Sequence, residues 1–256
     1  MYSIYREGVI LESKKQVIYL CIQSVFFIFI KIIELFLSDR TVGLTKYAFI
    51  LVNLIFLLIF YLQNRKNAEQ KANILALAVG MTFFGDLFLV LIPSVSNWPY
   101  CFLCGYIAFT ILEFLIAVYI GLSKKYALIF SAFFIVINAV VWRFKLITTA
   151  NEIAIINLSL LAANMVTGWI VYNKNKILKN FLFALGMTCF FCCDYSIAVQ
   201  LVFKEFKTVH DIADYLVWLF YMPALVLLQG KRIIDSAKRK ADIFCFLNRV
   251  SVCCLL

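Results

Sequence analysis

The sequence predicts an all-α fold: a polytopic membrane bundle of eight transmembrane helices with both termini cytoplasmic. Three observations carry this expectation. The 256-residue chain is 64% hydrophobic and 15% charged, against about 45–50% and 25% in soluble domains. Eight apolar segments each reach the roughly 20 residues that a bilayer-spanning helix requires. Most of the 24 Lys and Arg fall on one side of that arrangement. No polar stretch is long enough to close a core of its own. The expected organisation is an N-terminal segment 1–15, a transmembrane domain 16–229 and a basic tail 230–256.

The N-terminal segment, MYSIYREGVILESKK, holds acids and no long apolar run before a small-residue cleavage site. It is not read as a cleaved signal peptide, so the first helix, 16–37, is expected to be its own insertion signal. That helix carries Lys31 and Glu34, spaced to pair on one helix face. The second helix, 43–62, begins close to Lys46. The third, 73–92, contains GMTFFGDLFLVL, in which Asp86 stands among apolar residues with no basic neighbour on its own helix. Gly80 and Gly85 beside it allow another helix or a ligand to approach closely. The fourth, 98–122, holds Glu113. The fifth and sixth are placed at 126–146 and 152–173. The seventh, 180–203, carries Asp194 in LFALGMTCFFCCDYSIAV, a faint echo of the third: Gly-Met-Thr, aromatic and small residues, then the aspartate. The eighth, 209–229, contains Tyr221, and the basic tail follows from Lys231.

With eight spans, both termini share a side with the connections between spans two and three, four and five, and six and seven. Arg65, Lys124, Lys174 and six basic residues of the tail are among those gathered there. The other side holds Arg40, Arg143, Lys145, Lys204 and Lys207. By the positive-inside rule the richer side is cytoplasmic. The net charge of +10 is thus a topology signal with an attraction to anionic membrane lipid, and nucleic acid is not expected as a partner. The nine cysteines lie mostly in apolar runs, where Cys is a small buried hydrophobe. His210 is the chain's one histidine, so no metal site is expected despite the Cys101-x-x-Cys104 pair. Cys253, in the terminal CCLL, occupies the position of a prenylated cysteine, which has meaning only in a eukaryotic cytosol.

Acids inside membrane spans are functional candidates by default. Counted from the cytoplasmic end at about 1.5 Å per residue, Asp86 lies roughly 20 Å and Asp194 roughly 21 Å along helices that run the same way. Lys31 and Lys46 fall at similar depth, so carboxylates and ammonium groups are expected to converge in the outer half of the bundle. Glu113 lies about two turns deeper. Lys31 and Glu34 read as a structural pair; Asp86 and Asp194 do not.

Four motifs then occur in order. Gly80, Gly85, Asp86 and Leu89 form Gly-x-x-x-x-Gly-Asp-x-x-Leu; Phe102, Gly105 and Phe109 form Phe-x-x-Gly-x-x-x-Phe, with Glu113 four residues on. Gly186, Phe190, Asp194 and Ala198 form a second acidic motif, and Tyr221, Pro223 and Ala224 a last-span pattern. Thr45 and Lys46 add a shorter match. Over roughly residues 44 to 229 this pattern resembles the YhhN-like lysoplasmalogenases, eight-span membrane hydrolases that cleave the vinyl-ether bond of lysoplasmalogens. In that family a His stands at the position of Glu113, Ser at Cys193, Gln at Leu225, and a Pro follows the Thr-Lys pair.

The resemblance implies a lysophospholipid ether substrate and no cofactor. Vinyl-ether cleavage begins with protonation of the β-carbon and continues with attack of water on the resulting cation. It therefore calls for one protonated carboxyl and one carboxylate, a division that an apolar setting and a second nearby carboxylate favour. Asp86 and Asp194 are the expected catalytic pair, with either as the acid. Lys46, Gly85, Glu113 and Tyr221 are expected to support them: Lys46 on the lipid phosphate or on one Asp, Tyr221 as a hydrogen-bond donor, Glu113 in proton relay. Two other readings fit the same residues. Intramembrane acids with a faint repeat also describe a proton-coupled transporter, although no span is interrupted by Pro or Gly at mid-depth. The substitutions at Glu113 and Leu225 also fit an inactive lipid-binding relative.

Overall fold

The computed structural model describes residues 22, 25–26, 28–30, 32–33, 36, 39–64, 70–143, 149–203, 205–225 and 227–228. Lys31, Glu34, Cys253 and the segments 1–15 and 230–256 lie outside them. Every regular element among the described residues is helical. The described residues between 22 and 36 are helical (α1). Then come α2 (Asp39–Asn64), α3 (Gln70–Asp86), a π-helical turn (Leu87–Leu91), α4 (Ile92–Val95), α5 (Cys101–Ile120), α6 (Lys124–Arg143), α7 (Thr149–Lys174) and α8 (Leu178–Val202). Residues 207–225 form α9. Among the described residues, four helical stretches are long and apolar enough to cross a membrane: Cys101–Ile120, Lys124–Arg143, Glu152–Lys174 and Asn180–Gln200. Thr41–Val52 and Gly80–Val95 are shorter apolar helices.

The ends of these helices follow local chemistry. Gly121 ends α5 at φ +102°, donating its N–H to Ala117 O; a residue with a side chain rarely takes that backbone conformation. Two residues later Ser123 Oγ accepts the N–H of Tyr126 at 3.2 Å and caps α6. The passage from α3 to α4 has a different cause. Pro93 lacks an N–H and its ring crowds the carbonyl four residues back. The chain does not break there but widens: Ile92 N–H bonds Leu87 O, five residues back, the signature of a π turn. Ser94 Oγ donates to Val90 O at 2.6 Å. The third helix thus runs on to Val95, past the expected end at residue 92.

Apolar surface gains little by leaving lipid for another helix, so close packing holds such bundles together. Small residues permit it. A Cβ on Gly168 would stand 3.4 Å from the Ala184 backbone, where α7 meets α8. Trp169 Nε1 donates to Thr188 Oγ1 at 2.9 Å across the same contact. The core collects Phe49 and Ile50 from α2, Leu112 and Ile116 from α5, Leu161 from α7, Met187 and Phe190 from α8, and Leu225 from α9. α6 stands at the edge. Tyr126 is its one buried residue, while Leu128, Ile135 and Trp142 are exposed.

Candidate functional site

Six of the helices, α2, α3, α5, α7, α8 and α9, line a half-open cavity of about 880 Å³ together with the π turn and α4. Its walls come from the N-terminal parts of α2, α5 and α7, the end of α3, the C-terminal part of α8, and α9 from Asp211 to Tyr221. It therefore occupies the half of the bundle nearest the connections 96–100 and 203–206, away from those at 121–123 and 175–177. Lys46, Asp86, Asp194 and Tyr221, four residues expected to act together, all face it.

Asp86 is the last residue of α3, directly before the π turn, and is buried. The Tyr221 hydroxyl donates to its Oδ2. Tyr221 is held by edge contacts of its ring with Phe190 and Trp218, at centroid distances of 5.6 and 5.8 Å. Asp194, on α8, is less buried than Asp86. Its Oδ2 accepts the amide Nδ2–H of Asn157 at 2.9 Å. The two carboxyls thus share one space but have different neutral donors from different helices. The Lys46 ammonium lies 4.7 Å from the centroid of the Trp218 ring, within cation–π range. Asp211 and Asp214 add carboxylates from the start of α9, and Gln200 Nε2 donates to Asp214 Oδ1 at 3.4 Å.

The glycine motifs set the cavity wall. A Cβ on Gly85 would stand 2.4 Å from the Phe109 ring, and one on Gly105 would stand 2.5 Å from Leu89. Each motif thus supplies the notch that receives the other's large side chain, and α3 and α5 interlock. Leu89 and Phe109 also line the cavity. Gly85 is therefore a packing position beside Asp86. Glu113 sits elsewhere: fully buried between helices and not on the cavity wall. Asn164 Nδ2 donates to its Oε2 at 2.7 Å and to its backbone oxygen at 2.9 Å. Tyr126 OH donates to Asn164 Oδ1 at 2.9 Å, so this chain of bonds ties α5, α6 and α7.

Residues 44–231 match the YhhN family. The chain belongs to the YhhN family. Comparison with curated proteins and with solved structures gives no match. The YhhN region contains the four motifs and reaches from within α2 through α9, so it takes in every cavity-facing helix except residues 39–43 of α2, where Val42 and Gly43 also line the cavity. Its cavity also holds residues that reading the sequence did not single out: Asn157, Asp211 and Asp214. Asn157 had a signal available. It is seven residues from Asn164 in a mostly apolar helix, two turns along the same face, and both amides meet a carboxyl on another helix.

Proposed function

We propose that this YhhN protein is an integral-membrane hydrolase of eight spans, with both termini cytoplasmic, that cleaves the vinyl-ether bond of a lysoplasmalogen. The observation that carries the reading is the placement of Asp86 and Asp194 on one cavity, each held by a different neutral hydrogen-bond donor. A volume of about 880 Å³ lies within the range of small-molecule sites. Asp86, the more buried, is the acid; Asp194, the more accessible, is the base, as in other paired-carboxyl sites where the apolar member keeps its proton.

Asp86 gives its proton to the vinyl β-carbon, the C=C electron pair forms the new C–H bond, and the ether oxygen stabilises the cation at the α-carbon. Water bonds to that carbon and passes a proton to Asp194. The hemiacetal then returns its hydroxyl proton to Asp86 as its bond to the glycerol oxygen breaks, and Asp194 protonates that oxygen. A fatty aldehyde and a glycerophospho-alcohol leave, and both carboxyls end as they began. Lys46 holds the lipid phosphate near Trp218.

A second reading, a proton-coupled transporter for a cationic solute, draws on the four aspartates and one lysine that face the cavity. Aldehyde release from a lysoplasmalogen by the purified protein in detergent decides between the two. The expected result is turnover that falls at least about a hundredfold in both Asp86→Asn and Asp194→Asn. Turnover that survives both substitutions removes the aspartates from the chemistry. A wild type inactive on every lysoplasmalogen tried, yet moving protons in liposomes, favours the transporter.

A further inference from the structure

We infer that Tyr106 binds the free hydroxyl on glycerol carbon 2 of the substrate, and so selects a single-chain lipid over one acylated at that carbon. This deepens the hydrolase reading and rests on it. Phe102, Tyr106 and Phe109 recur at i, i+4 and i+7 of α5, which is one face of the helix, and all three line the cavity. The interlock with α3 fixes that face: Gly105, the residue before Tyr106, receives Leu89, and Phe109 fills the notch at Gly85.

Most polar side chains on the wall are already committed. Tyr221 donates to Asp86, Asn157 Nδ2 to Asp194, Gln200 Nε2 to Asp214 and Ser94 Oγ to Val90 O. The Tyr106 hydroxyl makes no hydrogen bond among the described residues. Nor is it one of the sealed polar atoms without partners, which are Tyr47 OH, Glu113 Oε1, Asn157 Oδ1 and Thr167 Oγ1. Tyr106 is half-buried, and its hydroxyl is free to bond what the cavity receives.

Three polar groups surround the scissile bond of a lysoplasmalogen: the ether oxygen, the phosphate and the hydroxyl on carbon 2. Charge sorts them. The ether belongs to the two aspartates and the phosphate to Lys46. The hydroxyl is neutral and both donates and accepts, as a phenol does. Position agrees with charge. The Tyr106 hydroxyl lies within electrostatic reach of the Asp194 carboxylate, and Asp194 is the group that protonates the departing oxygen on carbon 1. The hydroxyl on carbon 2 is one carbon away from that oxygen, so its partner must stand near Asp194. An acyl chain on carbon 2 would remove the donor and set its bulk against the Tyr106 ring.

The test is aldehyde release by the full-length protein in detergent from two lipids with the same headgroup and chain. One is a lysoplasmalogen; the other carries hydrogen in place of the hydroxyl on carbon 2. Wild type is expected to lose about tenfold in kcat/KM on the deoxy lipid, and Tyr106→Phe about tenfold on the lysoplasmalogen. On the deoxy lipid the two proteins are expected to be equal, because the bond is already missing and its loss cannot be counted twice.

A folded Tyr106→Phe that is tenfold slower than wild type on both lipids overturns the inference, since the phenol then acts on something other than this hydroxyl. Unchanged turnover of the lysoplasmalogen by Tyr106→Phe also overturns it. Should Tyr106→Phe not fold, Tyr106→Leu carries the same expectations. A wild type without aldehyde release defeats the hydrolase reading and this inference together. Wild-type turnover that is indifferent to the hydroxyl defeats this inference alone.

Discussion

Tyr221 donates its hydroxyl to Asp86 while its ring leans edge-on against Phe190 and Trp218, so the bond and the packing can be separated by substitution. Tyr221→Phe keeps the ring and removes the bond. The expected outcome is a kcat lowered by about tenfold or more, with a destabilisation of only about 1 kcal/mol, read from aldehyde release and thermal unfolding in the same detergent. Tyr221→Ala, which also empties the aromatic contact, is expected to cost about 3–5 kcal/mol. Asp86 and Asp194 could be found in the sequence because a carboxyl in an apolar run is conspicuous. Their helices run in the same direction, and both carboxyls line one cavity. Asn157 was hidden for the opposite reason. A neutral amide draws little notice in a mostly apolar helix, where only the seven-residue spacing to Asn164 marks a common face. Glu113 was visible but its neighbourhood was not: nothing along α5 announces Asn164, 51 residues away.

The interlock of α3 and α5 is the element-scale counterpart. Gly85 receives Phe109 and Gly105 receives Leu89, so adding a single methyl at either glycine forces a ring or a branched side chain to move. Gly85→Ala is expected to destabilise by about 1–3 kcal/mol, the usual cost of overpacking. Gly80 is the internal control. A Cβ there meets nothing within 4 Å, and Gly80→Ala is expected to be neutral or to stabilise by up to about 1 kcal/mol through helix propensity. Thermal unfolding of the two variants side by side checks both; equal losses would mean that Gly85 is not a contact point. The helices themselves were legible in hydropathy, to within a turn or so at most ends. The third was expected to end at residue 92, and the helix runs on to Val95. A proline normally pushes the residue before it out of the helical region. The Ile92–Leu87 bond and the Ser94 back-bond accommodate Pro93 instead, and both depend on contacts that hydropathy does not register.

On the scale of the whole molecule, the cavity and the basic connections sit at opposite ends. Lys124, Lys125, Lys174 and Lys176 are exposed next to the 121–123 and 175–177 connections, while the cavity lies toward 96–100 and 203–206. If the termini are cytoplasmic, as proposed, the candidate active site lies in the outer half of the bilayer. The check is labelling of intact cells or sealed vesicles with a membrane-impermeant maleimide, measured against the unsubstituted protein. Asn97→Cys is expected to react from outside and Ser123→Cys only after permeabilisation. The reverse order would invert the orientation, and reaction of both from one side would end the eight-span reading. The π turn has a consequence for this architecture that concerns angle. On an uninterrupted α-helix, Asp86 and Ser94 would point about 80° apart around the axis. Five steps of roughly 80° in place of about 100° bring that offset close to zero. One widened turn therefore gives two residues on either side of Leu87–Leu91 a common azimuth, and both face the cavity. Gly43 of α2 sits against Ser94 and Phe109 of α5 against Gly85, so the same rotation decides which neighbouring helix each half of α3 addresses.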